Sequence, residues 1–177
     1  KARLILMLAD VYHEAEQWQQ SLDLCTRVID NAARNATREQ RSYAFFRRGR
    51  NFYCLEGEGY DPEAALADYV AAAKTAPKAP WADKATFLGA NLLWNFKHDA
   101  SGAIAMWRLL LKTYPDSDEA DRSAYFIGVV YELTGRAHDA ETAFTEFLAT
   151  RSGSRLAGAV REHLKELERS GGKAQSR

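Results

Sequence analysis

The chain has only two cysteines and four prolines, no excess of either charge and no long apolar run. Each scarcity removes a class of protein. Cys25 and Cys54 sit in apolar helical stretches without Cys-x-x-Cys or Cys/His spacing, so they read as small buried hydrophobes rather than a redox or metal pair. Lys and Arg total 24 against 24 Asp and Glu, which removes the electrostatic case for a general nucleic-acid or anionic-membrane binder. No stretch approaches the roughly 18 uninterrupted apolar residues of a membrane span, and the N-terminus lacks signal-peptide pattern.

Catalytic signatures are missing as well. There is no Walker loop, dinucleotide fingerprint or Gly-x-Ser-x-Gly elbow to cradle phosphate or activate a serine. His13, His98, His138 and His163 stand singly, without a zinc-binding His-Glu-x-x-His. Asp116, Asp118, Glu119 and Asp121 lack calcium-loop spacing and fall where a helix begins, favouring its positive end. The expectation is a chain that is not an enzyme and carries no cofactor and no metal.

What is present suffices for a folded core: 177 residues, 46% hydrophobic and 27% charged. Pro62, Pro77, Pro80 and Pro115 each separate segments in which apolar residues recur at three and four, as in Leu4, Met7, Leu8, Val11 and Tyr12. Sustained period-two alternation is absent, so the fold class is all-α. Thr37 with Gln40 forms a capping box, Ser117 precedes Asp118 and Glu119 as a cap, and Gly135 and Gly153 close helices in the left-handed conformation. Short linkers of this kind predict antiparallel helix pairs.

The pairs repeat. Second halves align on Ser21-x3-Cys25, Ala65-x3-Tyr69, Ala103-x3-Trp107 and Ala140-x3-Phe144, with Ala33, Pro77, Pro115 and Ser152 each twelve residues after the first member. First halves align on Leu8-Ala9-x2-Tyr12, Arg48-Gly49-x2-Phe52, Ala90-Asn91-x2-Trp94 and Ile127-Gly128-x2-Tyr131. Small residues let two helices approach, and aromatics fill the space between hairpins. Asn91 occupies a small-residue position, and an insertion around Glu56 to Tyr60 lengthens the second repeat's central turn.

This pattern resembles the tetratricopeptide repeat (TPR), most closely in Leu66 to Pro77 and Tyr125 to Leu148, and departs from it at Arg48, which stands where the family usually has Leu. The resemblance implies a right-handed superhelix of about four antiparallel helix-turn-helix units, over 2–35, 42–79, 84–117 and 121–154, with a capping helix over 155–169. One domain is expected over 1–169, followed by a flexible tail or linker over 170–177. In the cap, Leu156, Val160, Leu164 and Leu167 make an apolar stripe opposite Arg161, Glu162, Lys165 and Glu166. Alanine spacings of 38 and then 37 residues, and the junction Tyr114-Pro115-Asp116-Ser117, resemble the bacterial envelope-associated type found in outer-membrane assembly and the Tol system. Periplasm or envelope is therefore favoured over cytoplasm, and the start at Lys1 suggests a piece of a longer protein.

The resemblance places a partner-binding surface on the first helices. Tyr43, Phe46, Arg47, Arg50 and Tyr53 share one helix face, and the corresponding downstream positions are Leu88, Leu92, Asn95 and Phe96, then Arg122, Tyr125 and Val129. Such a groove suits a peptide or partner helix of acidic character, with aromatic anchors and arginine forks. Leu6 and Asp10 replace the Lys/Asn pattern that grips chaperone C-termini, so that role is not expected. The alternatives are an assembly or self-association domain, and an accessory domain of an enzyme whose catalytic part lies elsewhere. An RNA surface built on Arg34, Arg38, Arg41, Arg47, Arg48 and Arg50 with Tyr43 and Phe46 is disfavoured by the neutral total charge.

Overall fold

The computed structural model describes residues 1–30 and 36–174. Among them are nine α-helices and no strand: α1 Ala2–Glu14, α2 Trp18–Ile29, α3 Arg38–Cys54, α4 Pro62–Thr75, α5 Ala82–Asn95, α6 Ala100–Thr113, α7 Asp118–Leu133, α8 Ala137–Thr150 and α9 Ala157–Ala174. The backbone gathers into two compact units, Lys1–Asp99 and Ala100–Arg177. In the first, α1 to α5 pack each on the next; in the second, α6 to α9 do so. The last helix runs on to Ala174 instead of ending at 169. Ala33, Arg34 and the end of the expected tail lie outside the described residues.

Local chemistry explains most boundaries. The Thr37 hydroxyl accepts from the Gln40 amide, and the Gln40 side chain accepts from the Thr37 amide, so two donors that the first turn of α3 cannot satisfy internally are satisfied. Asp61 caps α4 by accepting from the Ala64 amide, with Pro62 at the first helical position. Gly135 closes α7 at φ 74°, as its sequence position predicts. Two expected devices differ. Ser117 makes no side-chain cap bond and its buried hydroxyl has no hydrogen-bond partner among the described residues; the start of α7 relies on Asp118, Glu119 and Asp121 in its first turn. Gly153 is not among the left-handed glycines, because its turn is closed by ordinary backbone bonds from Ser154 to Arg151 and from Ala157 to Ser154.

The repeat positions form the packing. Ser21, Cys25, Ala65, Ala103, Ala140 and Phe144 are fully buried, and Tyr69 and Trp107 nearly so. In the first repeat the two small positions meet directly, with the Ser21 hydroxyl donating to the Ala9 carbonyl at 2.8 Å. In the fourth, a Cβ on Gly128 would lie 2.4 Å from the Phe144 ring, so the close approach of α7 and α8 requires glycine. Arg48, unexpected at a leucine position, forks onto Asp68 of α4 through Nε at 2.8 Å and Nη2 at 2.9 Å. It substitutes a paired charge for an apolar contact. Along the last helix, Val160 is buried, Leu164 and Leu167 are half-buried, as is Leu156 just before it, and Arg161, Glu162, Lys165 and Glu166 face solvent, as the stripe predicts.

Candidate functional site

The insertion in the second repeat becomes a 3-10 turn at Gly57–Gly59, with Gly57 at φ 59°. Its closure by the Asp61 amide on the Phe52 carbonyl brings Tyr60 to 6.0 Å from Tyr53, ring centre to ring centre. Together with α5 this builds a pocket of about 190 Å³ lined by Tyr53, Tyr60, Tyr69, Leu88, Asn91, Leu92, Asn95 and Phe96. Tyr69 is the buried floor, and burial pushes its phenol well above the usual tyrosine range. Three rim rings remain open to solvent: Tyr53 is 53% exposed, Tyr60 44% and Phe96 39%. Asn91 and Asn95 bring the amide groups to an otherwise apolar wall.

Five of the expected partner-binding residues therefore come together: Tyr53, Leu88, Leu92, Asn95 and Phe96. Leu92 is 5% exposed and contributes as wall rather than as contact surface. The sequence reading missed Tyr60, Tyr69 and Asn91 as lining. Tyr60 sits in an insertion that reads only as a longer turn, while Tyr69 and Asn91 read as repeat-packing positions.

The upper part of α3 differs from expectation. Phe46 and Arg47 are buried, at 6% and 7% exposure. The Arg47 guanidinium lies 2.8 Å from Asp10 of α1, donates to the Tyr43 hydroxyl at 2.9 Å, and reaches Glu14 at 3.8 Å. Tyr43 in turn donates to Asp10 at 2.8 Å and packs edge-on against Trp81 at 4.9 Å. These groups tie α1 to α3, so Arg47 is an internal ion-pair residue and not an open cation. The cause is Asp10, which the sequence alone does not place beside it. Arg50, by contrast, is half-buried and makes no ion pair among the described residues; it stands one turn from Tyr53 on α3, and its charge reaches Tyr69 and Cys54.

Arg122 and Tyr125 lie in the second unit, on α7. Arg122 is exposed and pairs with Glu119 at 2.8 Å. Tyr125 is half-buried among Phe126, Phe144 and His163, its hydroxyl 3.1 Å from His163 Nε2, and Val129 is half-buried nearby on the same helix.

No family model and no curated protein matches the chain. Solved structures do. A kinesin-light-chain-type protein of Podosopora anserina built from nearly identical TPR-like repeats superposes with a TM-score of 0.66 at 15% identity, covering 98% of this chain and 88% of that one. MamA superposes with a TM-score of 0.67 at 12% identity, covering 99% of this chain and 90% of that one. At such identities the likeness is one of fold. The chain shares with them an all-α helical-repeat fold.

Proposed function

We propose that the chain is a noncatalytic protein-interaction module that holds an extended peptide or partner helix against the face shared by α3 and α5. The observation that carries this reading is the ring of Tyr53, Tyr60 and Phe96, large side chains left partly open around a concave, apolar pocket with two amides in its wall. Aromatic anchors are the groups that supply most binding energy per side chain in such grooves, and the amides can hold a peptide backbone in register. Arg50, which makes no ion pair among the described residues, gives the site its preference for an acidic residue next to the apolar anchor. Peptides selected from a displayed random library on the whole chain provide the test. Chemical-shift changes on binding should concentrate at Tyr53, Asn91, Asn95 and Phe96; changes confined to α1 or to α6–α9 contradict the assignment.

A second reading, assembly through α1, is favoured by a different observation. Leu4, Leu8 and Val11 are 70%, 45% and 62% exposed at helical spacing, an apolar stripe that a helix of a second copy would cover. Sedimentation over a concentration series decides it: a monomer throughout excludes self-association by this face. The junction Tyr114-Pro115-Asp116-Ser117 supports a bacterial envelope protein as the parent, as an accessory or assembly module there.

A further inference from the structure

His163 and Glu166 stand one turn apart on α9, and Glu132 reaches them from the last turn of α7. Potential ligand atoms of the three side chains all lie within 4.8 Å of one another. His163 Nδ1 is 2.7 Å from Glu132 Oε2, and its Nε2 is 3.1 Å from the Tyr125 hydroxyl. The ring is also stacked on Phe144, 5.0 Å between centres at 17°. Three neighbours, Glu132, Tyr125 and Phe144, thus fix the plane and direction of one imidazole. Glu166 is exposed, and its carboxylate enters no ion pair among the described residues.

We propose that Glu132, His163 and Glu166 bind a first-row divalent transition-metal ion of the Zn²⁺ class, clamping the cap helix α9 to α7. One imidazole nitrogen and two carboxylate oxygens are a donor set that suits such ions, and three protein ligands leave a further position for water. Metal–ligand bonds of about 2.0–2.2 Å place neighbouring ligand atoms somewhat over 3 Å apart, so the observed cluster closes by a small opening of the His163–Glu132 pair and a rotamer change at exposed Glu166. Bound through Nδ1, the ring keeps its other nitrogen protonated and donates it to the Tyr125 oxygen, the outer support that ligating histidines characteristically have. Two carboxylates against one neutral imidazole supply the negative charge that balances a dication.

The test is calorimetric titration of Zn²⁺ into the whole chain, without an affinity tag and stripped by chelator. One saturable site is expected, with the thermal midpoint rising on binding. Glu166→Gln, which removes a ligand from an exposed position and leaves the His163–Glu132 pair intact, should weaken binding at least tenfold, and His163→Gln should abolish it. His138→Asn, on exposed α8 surface, should leave it unchanged. Circular dichroism confirms that each variant keeps its helices. Absence of saturable binding overturns the proposal. So does binding that survives in both Glu166→Gln and His163→Gln, because the ion is then held by other surface groups. Should Glu166→Gln bind as wild type while His163→Gln does not, the three-residue site is likewise overturned in favour of a His–Glu pair alone.

Discussion

Gly128→Ala and Gly49→Ala make the same chemical change at equivalent repeat positions, and the structure gives them different outcomes. At Gly128 the new Cβ would lie 2.4, 2.6 and 2.8 Å from three carbons of the Phe144 ring. An ordinary carbon–carbon contact is about 3.5–4.0 Å, so the ring must retreat by roughly 1 Å or more. Phe144 is fully buried and stacked on His163, and it has nowhere to go without moving α9. Overpacking of this kind costs about 1–3 kcal/mol, and the clash puts Gly128→Ala toward the upper end. Better helix propensity returns about 1 kcal/mol, leaving a net loss of about 1–2 kcal/mol. At Gly49 the nearest atoms are the Tyr69 ring at 3.1 Å and the Ala65 carbonyl at 3.2 Å, a tightness relieved by a few tenths of an ångström. There the two effects cancel to within about 0.5 kcal/mol. Thermal unfolding followed by circular dichroism reads the difference, at roughly 2–4 °C per kcal/mol for a chain of this size. A Gly128→Ala protein as stable as Gly49→Ala would refute the claim that helix approach at this position sets the fourth repeat's packing.

The arginines of α3 should separate: Arg47→Glu sets a carboxylate against Asp10 and Glu14 and should lower the unfolding midpoint by several degrees, whereas Arg50→Glu should leave it near wild type and weaken capture of acidic peptides. Equal effects on stability would contradict the assignment of Arg47 to an internal pair. Burial pushes the Cys25 thiol up to about 12, so at mildly alkaline pH a disulfide reagent should label half-buried Cys54 first and Cys25 only after denaturant is added. Mass spectrometry of the labelled peptides reads the order. Burial also pushes His13 below its ordinary 6.5, despite the hydrogen bond that its Nδ1–H donates to Asn51 Oδ1. Within that window the unfolded chain binds more protons than the folded one, so this group's contribution is held above 6.5 and lost as pH falls through it. His13→Gln should accordingly show a shallower loss of thermal midpoint between about pH 7.5 and 5.5 than wild type, and a slope as steep as wild type would sink the reasoning.

Period and punctuation made the helices legible. Residues such as Ala65, Tyr69, Ala103, Trp107, Ala140 and Phe144 declare their burial because a helical hairpin has few places where a small residue and a large one four positions later serve any other purpose. The capping box at Thr37 is equally local, since all its atoms lie within one turn. Long-range pairing was not legible. Asp10 is 37 positions from Arg47, Asp68 is 20 from Arg48, and Glu132 is 31 from His163, and nothing in a single sequence ties such partners together. That is why Arg47 read as an open cation and His163 as a lone histidine. The pocket was half legible for the same reason: Tyr53, Asn95 and Phe96 follow from helix-face spacing, but Tyr60 arrives through the backbone path of an insertion.

One affinity ratio decides whether the α3–α5 pocket is where a partner is held. A library-selected peptide is titrated by fluorescence anisotropy into the wild-type chain and into Tyr53→Ala/Phe96→Ala, whose two rings are already partly exposed and whose loss should leave the helices intact. At least a tenfold weakening is expected, the scale of an aromatic hot spot of about 1.4 kcal/mol or more. Unchanged affinity in a double variant with wild-type circular dichroism would contradict it.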